Sequence, residues 1–179
     1  ESRGLGDVYK RQALGALCTR DKAIHHSTDA YGNAFHWFRL DHPRFMSQAA
    51  TALQGAHARL CMITAYNLKQ LGEQQQQELC YHFELQGVVY NITVTLTAEH
   101  NTVPSITPLF ANADWHEREM MELYGIRVAN QPNPRRLFLD EELDAGILNE
   151  AVPLSIMMNG ACTTDLWERI LKQKEGERA

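Results

Sequence analysis

The sequence predicts an α+β fold in which a mixed or antiparallel sheet has helices packed against it, giving two layers. Three observations support this: an alternating segment at 33–40, two alternating segments on either side of Gly87, and segments with helical spacing before and after them. Their order, β-α-β-β-β-α, is typical of a sheet with helices against one face. The 179 residues, of which 44% are hydrophobic, are enough for one core of ordinary size.

The first predicted elements are a strand and a helix. NAFHWFRL (33–40) alternates apolar and polar residues and carries aromatic side chains, which favours a strand. Asp41 is placed to cap the following helix, with Pro43 in its first turn, and Gly55 weakens the end of that helix. The apolar residues that share one face of this helix are Phe45, Ala49, Leu53 and Ala56.

Three strands and a polar loop are predicted in the middle of the chain. ARLCMITAYNL (58–68) has strand character, and the polar run KQLGEQQQQE (69–78) after it predicts a loop. LCYHFELQ (79–86) and VVYNITVTLTA (88–98) both alternate and are separated by Gly87. A glycine between two alternating segments predicts a β-hairpin.

A second helix is predicted over WHEREMMELY, after a loop at 99–114 that contains two prolines and several turn-forming residues. Asp114 is placed to act as its N-cap, with Glu117 at the third helical position to form a capping box. Gly125 can adopt the left-handed conformation that ends a helix. Both ends of this helix are therefore predicted from local sequence.

The two sides of the second helix differ in polarity when its residues are placed 100° apart. The apolar side consists of Met120, Met121, Leu123 and Tyr124. Glu117 falls within that apolar arc. The opposite side consists of Trp115, Arg118, Glu119 and Glu122. A carboxylate on the apolar side and a tryptophan among charges both need an explanation.

Two kinds of chemical site are conceivable on this helix. His116 and Glu117 begin the zinc-binding pattern H-E-x-x-H, but the second histidine would be residue 120, which is Met120, so no metal site is predicted. Glu117 or Glu119, with His116, would suit general acid–base catalysis, since an apolar setting raises the proton affinity of a carboxylate. No nucleophile, phosphate loop or cofactor motif accompanies them. We therefore predict no catalytic and no cofactor-binding residues.

Two structural interpretations of the helix remain. Glu117 is predicted to pair with Arg135 or Arg136, because an arginine fork can satisfy a buried carboxylate. Trp115 beside Arg118 has the composition favoured at protein–protein contacts. The alternative for Trp115 is that another part of this chain, such as a terminal helix, covers it.

The chain is divided into three parts by pattern. Residues 1–12, ESRGLGDVYKRQ, share no periodicity with the rest of the chain and resemble translated adapter sequence, so we expect a non-native leader. Residues 13–140 form the predicted α+β domain, and residues 141–179 form a C-terminal extension. An amphipathic helix is predicted in this extension over about 163–174. Its apolar face consists of Leu166, Trp167, Ile170 and Leu171.

Composition excludes several function classes. The net charge of −5 provides no overall basic field for nucleic acid. No apolar segment is as long as a membrane helix, so any membrane association is expected through partners. The spacing of the four cysteines fits neither zinc nor iron–sulfur binding, and buried reduced thiols are expected instead. They are Cys18, Cys61, Cys80 and Cys162.

The motifs around the second helix resemble those of a known family. The pieces, in chain order, are Pro104, Ser105 and Thr107; Trp115; Glu117, Arg118 and Glu119; Glu122, Tyr124 and Gly125; and Pro132, Arg135 and Arg136. Together they resemble the 30 kDa subunit, also called the C subunit, of NADH-quinone oxidoreductase (complex I). They are equally similar to the corresponding subunit of group 4 membrane-bound [NiFe] hydrogenases such as formate hydrogenlyase.

The resemblance implies a respiratory electron-transport subunit that holds no cofactor and serves as a scaffold. Such a subunit packs on the large catalytic subunit, near the iron–sulfur subunits, in the cytoplasmic arm. It would be peripheral on the cytoplasmic face of the inner membrane, and the motif residues would form a structural or interface element. The alternatives are the 30 kDa subunit of NADH-quinone oxidoreductase proper, a stand-alone acid–base enzyme using Glu117 and Glu119, and a regulatory binding module.

Two departures from the complex I pattern bear on the branch. Gln131 precedes Pro132 where complex I usually has His-Pro, and the usual Pro-Leu-Arg-Lys-Asp segment near the C-terminus is absent. Both departures favour the hydrogenase-type branch of the family.

Overall fold

The main sheet and its helices are built from short, regularly spaced elements. The computed structural model describes residues 14–18, 23–69, 76–97, 99–139 and 145–146. The elements are β1 (Ile24–Thr28), β2 (Ala34–Arg39), a 3-10 turn (Pro43–Phe45), α1 (Met46–Gly55), β3 (Arg59–Lys69), β4 (Gln76–Leu85), β5 (Val88–Thr97), β6 (Thr102–Pro104), α2 (Ala113–Tyr124) and β7 (Arg127–Ala129).

Five strands form a mixed sheet in the order β1-β2-β5-β4-β3. β2 and β5 are parallel, whereas the other neighbouring pairs are antiparallel. β6 and β7 form a separate parallel pair beside α2. The predicted α+β fold with a mixed sheet is confirmed.

The predicted hairpin around Gly87 is confirmed. β4 and β5 pair from Leu85 opposite Val88 outward, and two residues, Gln86 and Gly87, form the turn. Both have positive φ, 55° and 81°, as the type I′ turn of a two-residue hairpin requires. Glycine tolerates this conformation without a steric penalty, which explains its place in the turn.

The hydrophobic core lies between one face of the main sheet and the two helices. Alternate residues of β4 and β5 point into it, as the period of two of a strand requires. The fully buried residues on these strands are Leu79, Tyr81, Phe83, Tyr90, Ile92, Val94 and Leu96. Ala49 and Leu53 of α1 and Met120 of α2 belong to the same cluster. The predicted inner face of α1 is therefore correct at Ala49 and Leu53.

Three element predictions were wrong. β4 begins at Gln76, inside the predicted loop 69–78, because Gln77 finds partners in the Asn67 side chain and the Tyr124 carbonyl. β6 lies inside the predicted loop 99–114, and β1 was not predicted. β1 has five residues that are all exposed, so it shows no alternation of apolar and polar positions. β6 has only three residues and pairs with β7 rather than with a neighbouring strand, so its own sequence carries little signal.

The start of the first helical segment also differs from the prediction. His42, not Asp41, is the capping residue, and its Nδ1 accepts a hydrogen bond from the Arg44 N–H at 3.1 Å. A 3-10 turn containing Pro43 then leads into α1 at Met46. α1 ends at Gly55, the residue expected to weaken the end of this helix.

The cysteine and terminal predictions have mixed outcomes. Cys18 and Cys80 are buried free thiols as predicted, and burial raises the pKa of Cys80 to about 12. Cys61 is exposed on β3, so the prediction of burial is wrong there. Cys162, the predicted leader at 1–12 and the predicted helix over about 163–174 lie outside the described residues.

Candidate functional site

Helix α2 is held at both ends by asparagine side chains. Asn112 is the N-cap residue, and its Nδ2 donates a hydrogen bond to the Leu60 carbonyl at 3.0 Å. Gly125 has φ of 64°, and its N–H bonds to the Met120 carbonyl, so the predicted stop is confirmed. The Gly125 carbonyl accepts a bond from Asn101 Nδ2 at 3.2 Å.

The predicted N-terminal cap of α2 is wrong. The helix begins at Ala113, so Asp114 lies inside its first turn, where its carboxylate is 3.5 Å from Nη1 of Arg118. The capping box is absent because Glu117 points into the interior instead of back along the helix. An aspartate in the first turn still interacts favourably with the helix dipole.

Glu117 is a fully buried carboxylate surrounded by hydrogen-bond donors. Its Oε2 accepts bonds from the hydroxyls of Ser105 at 2.6 Å and Thr107 at 2.8 Å, and from Gln131 Nε2 at 3.0 Å. Its Oε1 accepts a bond from the Ile106 N–H at 2.6 Å. One side chain of α2 therefore fastens two separate segments of the chain.

The predicted ion pair of Glu117 with Arg135 or Arg136 is wrong, because neutral donors take the place of an arginine. Burial raises the pKa of Glu117, and the bonds from Ser105, Ile106 and Thr107 oppose that shift. The expected rise in proton affinity on an apolar helix face is therefore present. Its direction is explained by the cost of keeping a charge away from water.

Arg118 ties α2 to the chain beyond β7. Its Nε donates to the Arg135 carbonyl at 2.8 Å, and its Nη2 donates to the Arg136 carbonyl at 2.6 Å. With Asp114 on the third side, the guanidinium is held by three groups. Arg118 therefore joins the first turn of α2 to residues 135 and 136.

Glu122 performs a similar task one turn further along α2. Its carboxylate accepts bonds from the backbone N–H groups of Leu137 at 2.6 Å, Phe138 at 3.1 Å and Leu139. Although burial alone would raise the pKa of Glu122, these three N–H groups and the charge of Arg136 hold it below its usual value.

Only 2% of Glu122 is accessible, so at this residue the charged side of α2 is covered by the chain itself. The segment 135–139 runs along the outer side of α2 and covers it.

Two aromatic residues remain at the surface around these anchors. Trp115 is 62% exposed and Phe138 is 66% exposed. The side chain of Arg135 is also exposed, at the residue whose carbonyl Arg118 holds. We call these three residues, Trp115, Arg135 and Phe138, the aromatic strip. Residues 115 and 122 share one face of α2 and are separated by about 10 Å along its axis. The described part of the chain does not cover Trp115.

The other motif residues have structural or surface positions. Pro104 ends β6, the carbonyl of Tyr124 accepts the bond from Gln77, and Pro132 is exposed. Glu119 forms a surface pair with His116, whose Nδ1 lies 3.9 Å from Oε2 of Glu119. The residues of the acid–base alternative are thus divided between the interior and the surface.

Two further observations concern metals and membranes. Among the described residues, no three His, Cys, Asp or Glu side chains are grouped as metal ligands. In the same part of the chain, no helix is long and apolar enough to cross a membrane.

Sequence reasoning missed the role of Gln131 and of the Ile106 N–H. In the sequence, Gln131 stands out only as a departure from the resembled motif. Its buried side chain, which bonds to Glu117, shows that this position supplies a donor. The signal that could have indicated this role is that Gln131 directly precedes Pro132, a residue of the same motif set as Ser105 and Thr107.

Comparisons with known proteins show the family to which the chain belongs. Residues 41–160 match the family described as the respiratory-chain NADH dehydrogenase 30 Kd subunit. The J subunit of NAD(P)H-quinone oxidoreductase from Synechococcus sp. (strain RCC307) is 51% identical over 41 residues, which cover 23% of each chain. The C subunit of NADH-quinone oxidoreductase from Paramagnetospirillum magneticum is 32% identical over 87 residues, covering 47% of this chain and 43% of the relative. The chain thus spans less than half the length of these curated relatives.

Two solved structures share the fold. The trypsin-resistant fragment of Nqo5 superposes with a TM-score of 0.51 at 19% identity, covering 72% of this chain and 98% of the fragment. A chain of the membrane-bound sulfane sulfur reductase, an archaeal respiratory membrane complex, superposes with a TM-score of 0.55 at 14% identity, covering 77% of this chain and 79% of that one.

Proposed function

The chain belongs to the family of the 30 kDa subunit of respiratory-chain NADH dehydrogenase, and from this premise we propose that it is a non-catalytic scaffold subunit. The parent assembly is a complex I-like respiratory oxidoreductase or a membrane-bound [NiFe] hydrogenase. In it the chain packs on the large catalytic subunit, near the iron–sulfur subunits, in the cytoplasmic arm. It is peripheral on the cytoplasmic face of the inner membrane, which it reaches through its partners.

The observation that carries this proposal is that the charged and the exposed aromatic residues around α2 have different roles. The charged motif residues Glu117, Arg118 and Glu122 form hydrogen bonds to other segments of the same chain. What they leave at the surface is the aromatic strip, whose tryptophan, arginine and phenylalanine are residue types enriched at interfaces. A scaffold needs a rigid surface of this kind, whereas an enzyme needs free polar groups in a pocket.

Two branches of the family remain as candidates for the parent complex. The absence of the Pro-Leu-Arg-Lys-Asp segment favours the hydrogenase type, whereas the curated relatives are named as quinone oxidoreductase subunits. The glutamine at position 131 is weak evidence for either branch, because the histidine usual in complex I would also offer a ring N–H to Glu117. Genomic neighbours that encode a hydrogenase or a dehydrogenase large subunit separate the two.

The acid–base alternative has less support. Both oxygens of Glu117 are engaged by donors in the interior, and Glu119 and His116 form a separate surface pair. A general base has to reach the proton it removes, so Glu117 would first have to break its bonds.

The test is isolation of the native complex through a tag on this chain, followed by mass spectrometry of its components. We expect a large catalytic subunit and iron–sulfur subunits in fixed stoichiometry. Iron–sulfur absorbance should be present in the complex, and both iron and flavin absorbance should be absent from the chain purified alone. Elution of the tagged chain without any partner, or stoichiometric iron or flavin on the isolated chain, would contradict the proposal.

A further inference from the structure

A small pocket beside the aromatic strip combines positive charge with apolar walls. It lies between α2 and the segment 134–136 and has a volume of about 150 Å³. A site for a single water needs only about 10–15 Å³, so this pocket has room for a side chain. The residues of its wall that matter here are Arg118, Met121, Glu122, Pro134, Arg135 and Arg136.

The charge balance of the wall favours an anion. The wall contains three arginines and the carboxylate of Glu122, which already accepts three backbone N–H bonds. Asp114 pairs with Arg118 and Glu122 interacts with Arg136, so Arg135 provides the positive charge that no nearby described carboxylate balances. The chain as a whole carries a net charge of −5, so the local surplus of positive charge runs against the overall field. An incoming carboxylate is therefore attracted to this place on the surface.

The three arginines have different availability. Arg118 is held by two carbonyls and by Asp114, so it contributes its charge and a fixed geometry. Arg136 interacts electrostatically with Glu122. Arg135 is exposed and donates its Nε to Asn133 Oδ1 at 3.0 Å, which orients the guanidinium. Its two Nη atoms hydrogen-bond to no other described residue.

From this geometry we propose that the pocket receives an aspartate or glutamate side chain of the partner subunit, whose carboxylate is bound by the Nη atoms of Arg135. The carboxylate accepts the parallel N–H bonds that a guanidinium fork offers. Its aliphatic stem packs against Met121 and Pro134. This inference rests on the proposed scaffold function and adds the chemistry of the contact.

The position of the pocket supports a protein carboxylate as its occupant. It is continuous with the aromatic strip through Arg135, and buried charged contacts beside aromatic anchors are typical of binding hot spots. The carbonyls of residues 135 and 136 are fixed by Arg118, so the pocket exists before the partner arrives. Preorganisation of this kind lowers the entropy cost of binding.

The experiment measures the affinity of the chain for the partner subunit with which it is co-purified. Arg135→Glu should weaken binding by more than about tenfold, and Arg135→Gln by less, because only the first adds repulsion. Arg44→Glu, at an exposed arginine before α1, is the matched control and should bind as the unmodified chain does. Each surface Asp or Glu of the partner is then replaced by Arg and tested against Arg135→Glu, and one replacement should restore binding.

The outcomes separate this inference from the proposed function. If Trp115→Ala loses binding while Arg135→Glu keeps it, the scaffold interface stands and the carboxylate contact is wrong. If Arg135→Glu loses binding but no partner replacement restores it, the carboxylate contact is also wrong. If neither variant changes binding, the aromatic strip itself is not the interface. Circular dichroism of each variant confirms that the fold is intact.

Discussion

Glu117 and Glu122 lie five positions apart on one helix, yet their carboxylates face opposite parts of the molecule. Glu117 points into the core and is surrounded by two hydroxyls, an amide side chain and one backbone N–H. Glu122 points outward and accepts three consecutive backbone N–H groups. The first closes the interior of the fold, whereas the second pins a surface loop.

This difference shows how a charged motif can be structural without being an active site. The Glu117 contacts join α2 to the segment 105–107 and to Gln131, so they hold the domain together. Arg118 and Glu122 position residues 135–139, and with them Arg135 and Phe138 of the aromatic strip. Losing the first site should affect folding, and losing the second should affect assembly with partners.

The largest expected effect is that of Glu117→Ala. This variant leaves four donors without an acceptor, two of them on the buried residues Ile106 and Gln131, and should lower the free energy of unfolding by about 3–5 kcal/mol. Urea denaturation followed by circular dichroism measures it. The matched control is Glu119→Ala on the exposed side of the same helix, with an expected change within about 0.5 kcal/mol. Equal losses of unfolding free energy in the two variants would contradict the different roles of the interior and the surface carboxylate.

Arg118→Ala should have an intermediate effect on stability and a strong effect on assembly. The carbonyls of Arg135 and Arg136 lose their donor, which should lower the free energy of unfolding by about 1–3 kcal/mol. Arg118→Lys should restore little, because an ammonium cannot reproduce the fork that spans two carbonyls. Native gels of the tagged complex measure retention. A fully assembled but inactive Arg118→Ala complex would contradict the structural role.

Glu122→Gln should loosen the loop more than it destabilises the domain. The amide has one acceptor oxygen in place of two charged ones, so about 1–2 kcal/mol should be lost. Hydrogen exchange of the backbone amides at residues 137–139 should become faster, while exchange in β4 and β5 should stay unchanged. Faster exchange throughout the sheet would mean that Glu122 supports the core as well.

The two carboxylates should also respond to pH in opposite directions. The pKa of Glu122 is lowered on folding, so this residue stabilises the fold above about pH 4.3, the pKa of a free glutamate. This stabilisation is lost as the pH falls through the pKa of the folded state. The pKa of Glu117 is raised on folding, so the stabilisation of the fold by this residue is largest below about pH 4.3. This stabilisation is lost as the pH rises through the pKa of the folded state.

Unfolding free energies measured between pH 3 and 7, chosen as roughly the range in which carboxylates titrate, should therefore differ between Glu117→Gln and Glu122→Gln. Relative to the unmodified chain, the loss of unfolding free energy in Glu117→Gln should become smaller as the pH rises. The corresponding loss in Glu122→Gln should become smaller as the pH falls. Parallel curves for the two variants would contradict their different environments.

The features that could be predicted from the sequence are those that local rules determine. The hairpin turn at Gln86 and Gly87, the stop of α2 at Gly125 and the burial of Glu117 are all determined by a few neighbouring residues. The partners of Glu117 could not be predicted, because Ser105, Thr107 and Gln131 are brought to it by the pairing of β6 with β7.

The burial of Glu122 could not be predicted for a related reason. Helical periodicity assigns each residue to an inner or an outer face, and this assumes that the chain covers a helix on one side only. Here the segment 135–139 returns along the outer face of α2 and buries Glu122. Helical periodicity alone contains no information about such a returning segment.

The central claim is that the aromatic strip contacts the partner subunit, and site-specific photocrosslinking in the native complex tests it most directly. A photoreactive phenylalanine analogue is placed at Trp115, at Phe138 and, as a control, at Tyr31, which is 92% exposed in the turn between β1 and β2. We predict crosslinks from positions 115 and 138 to one partner subunit, identified by mass spectrometry, and none from position 31. An assembled complex that crosslinks from position 31 but from neither position of the strip would contradict the claim.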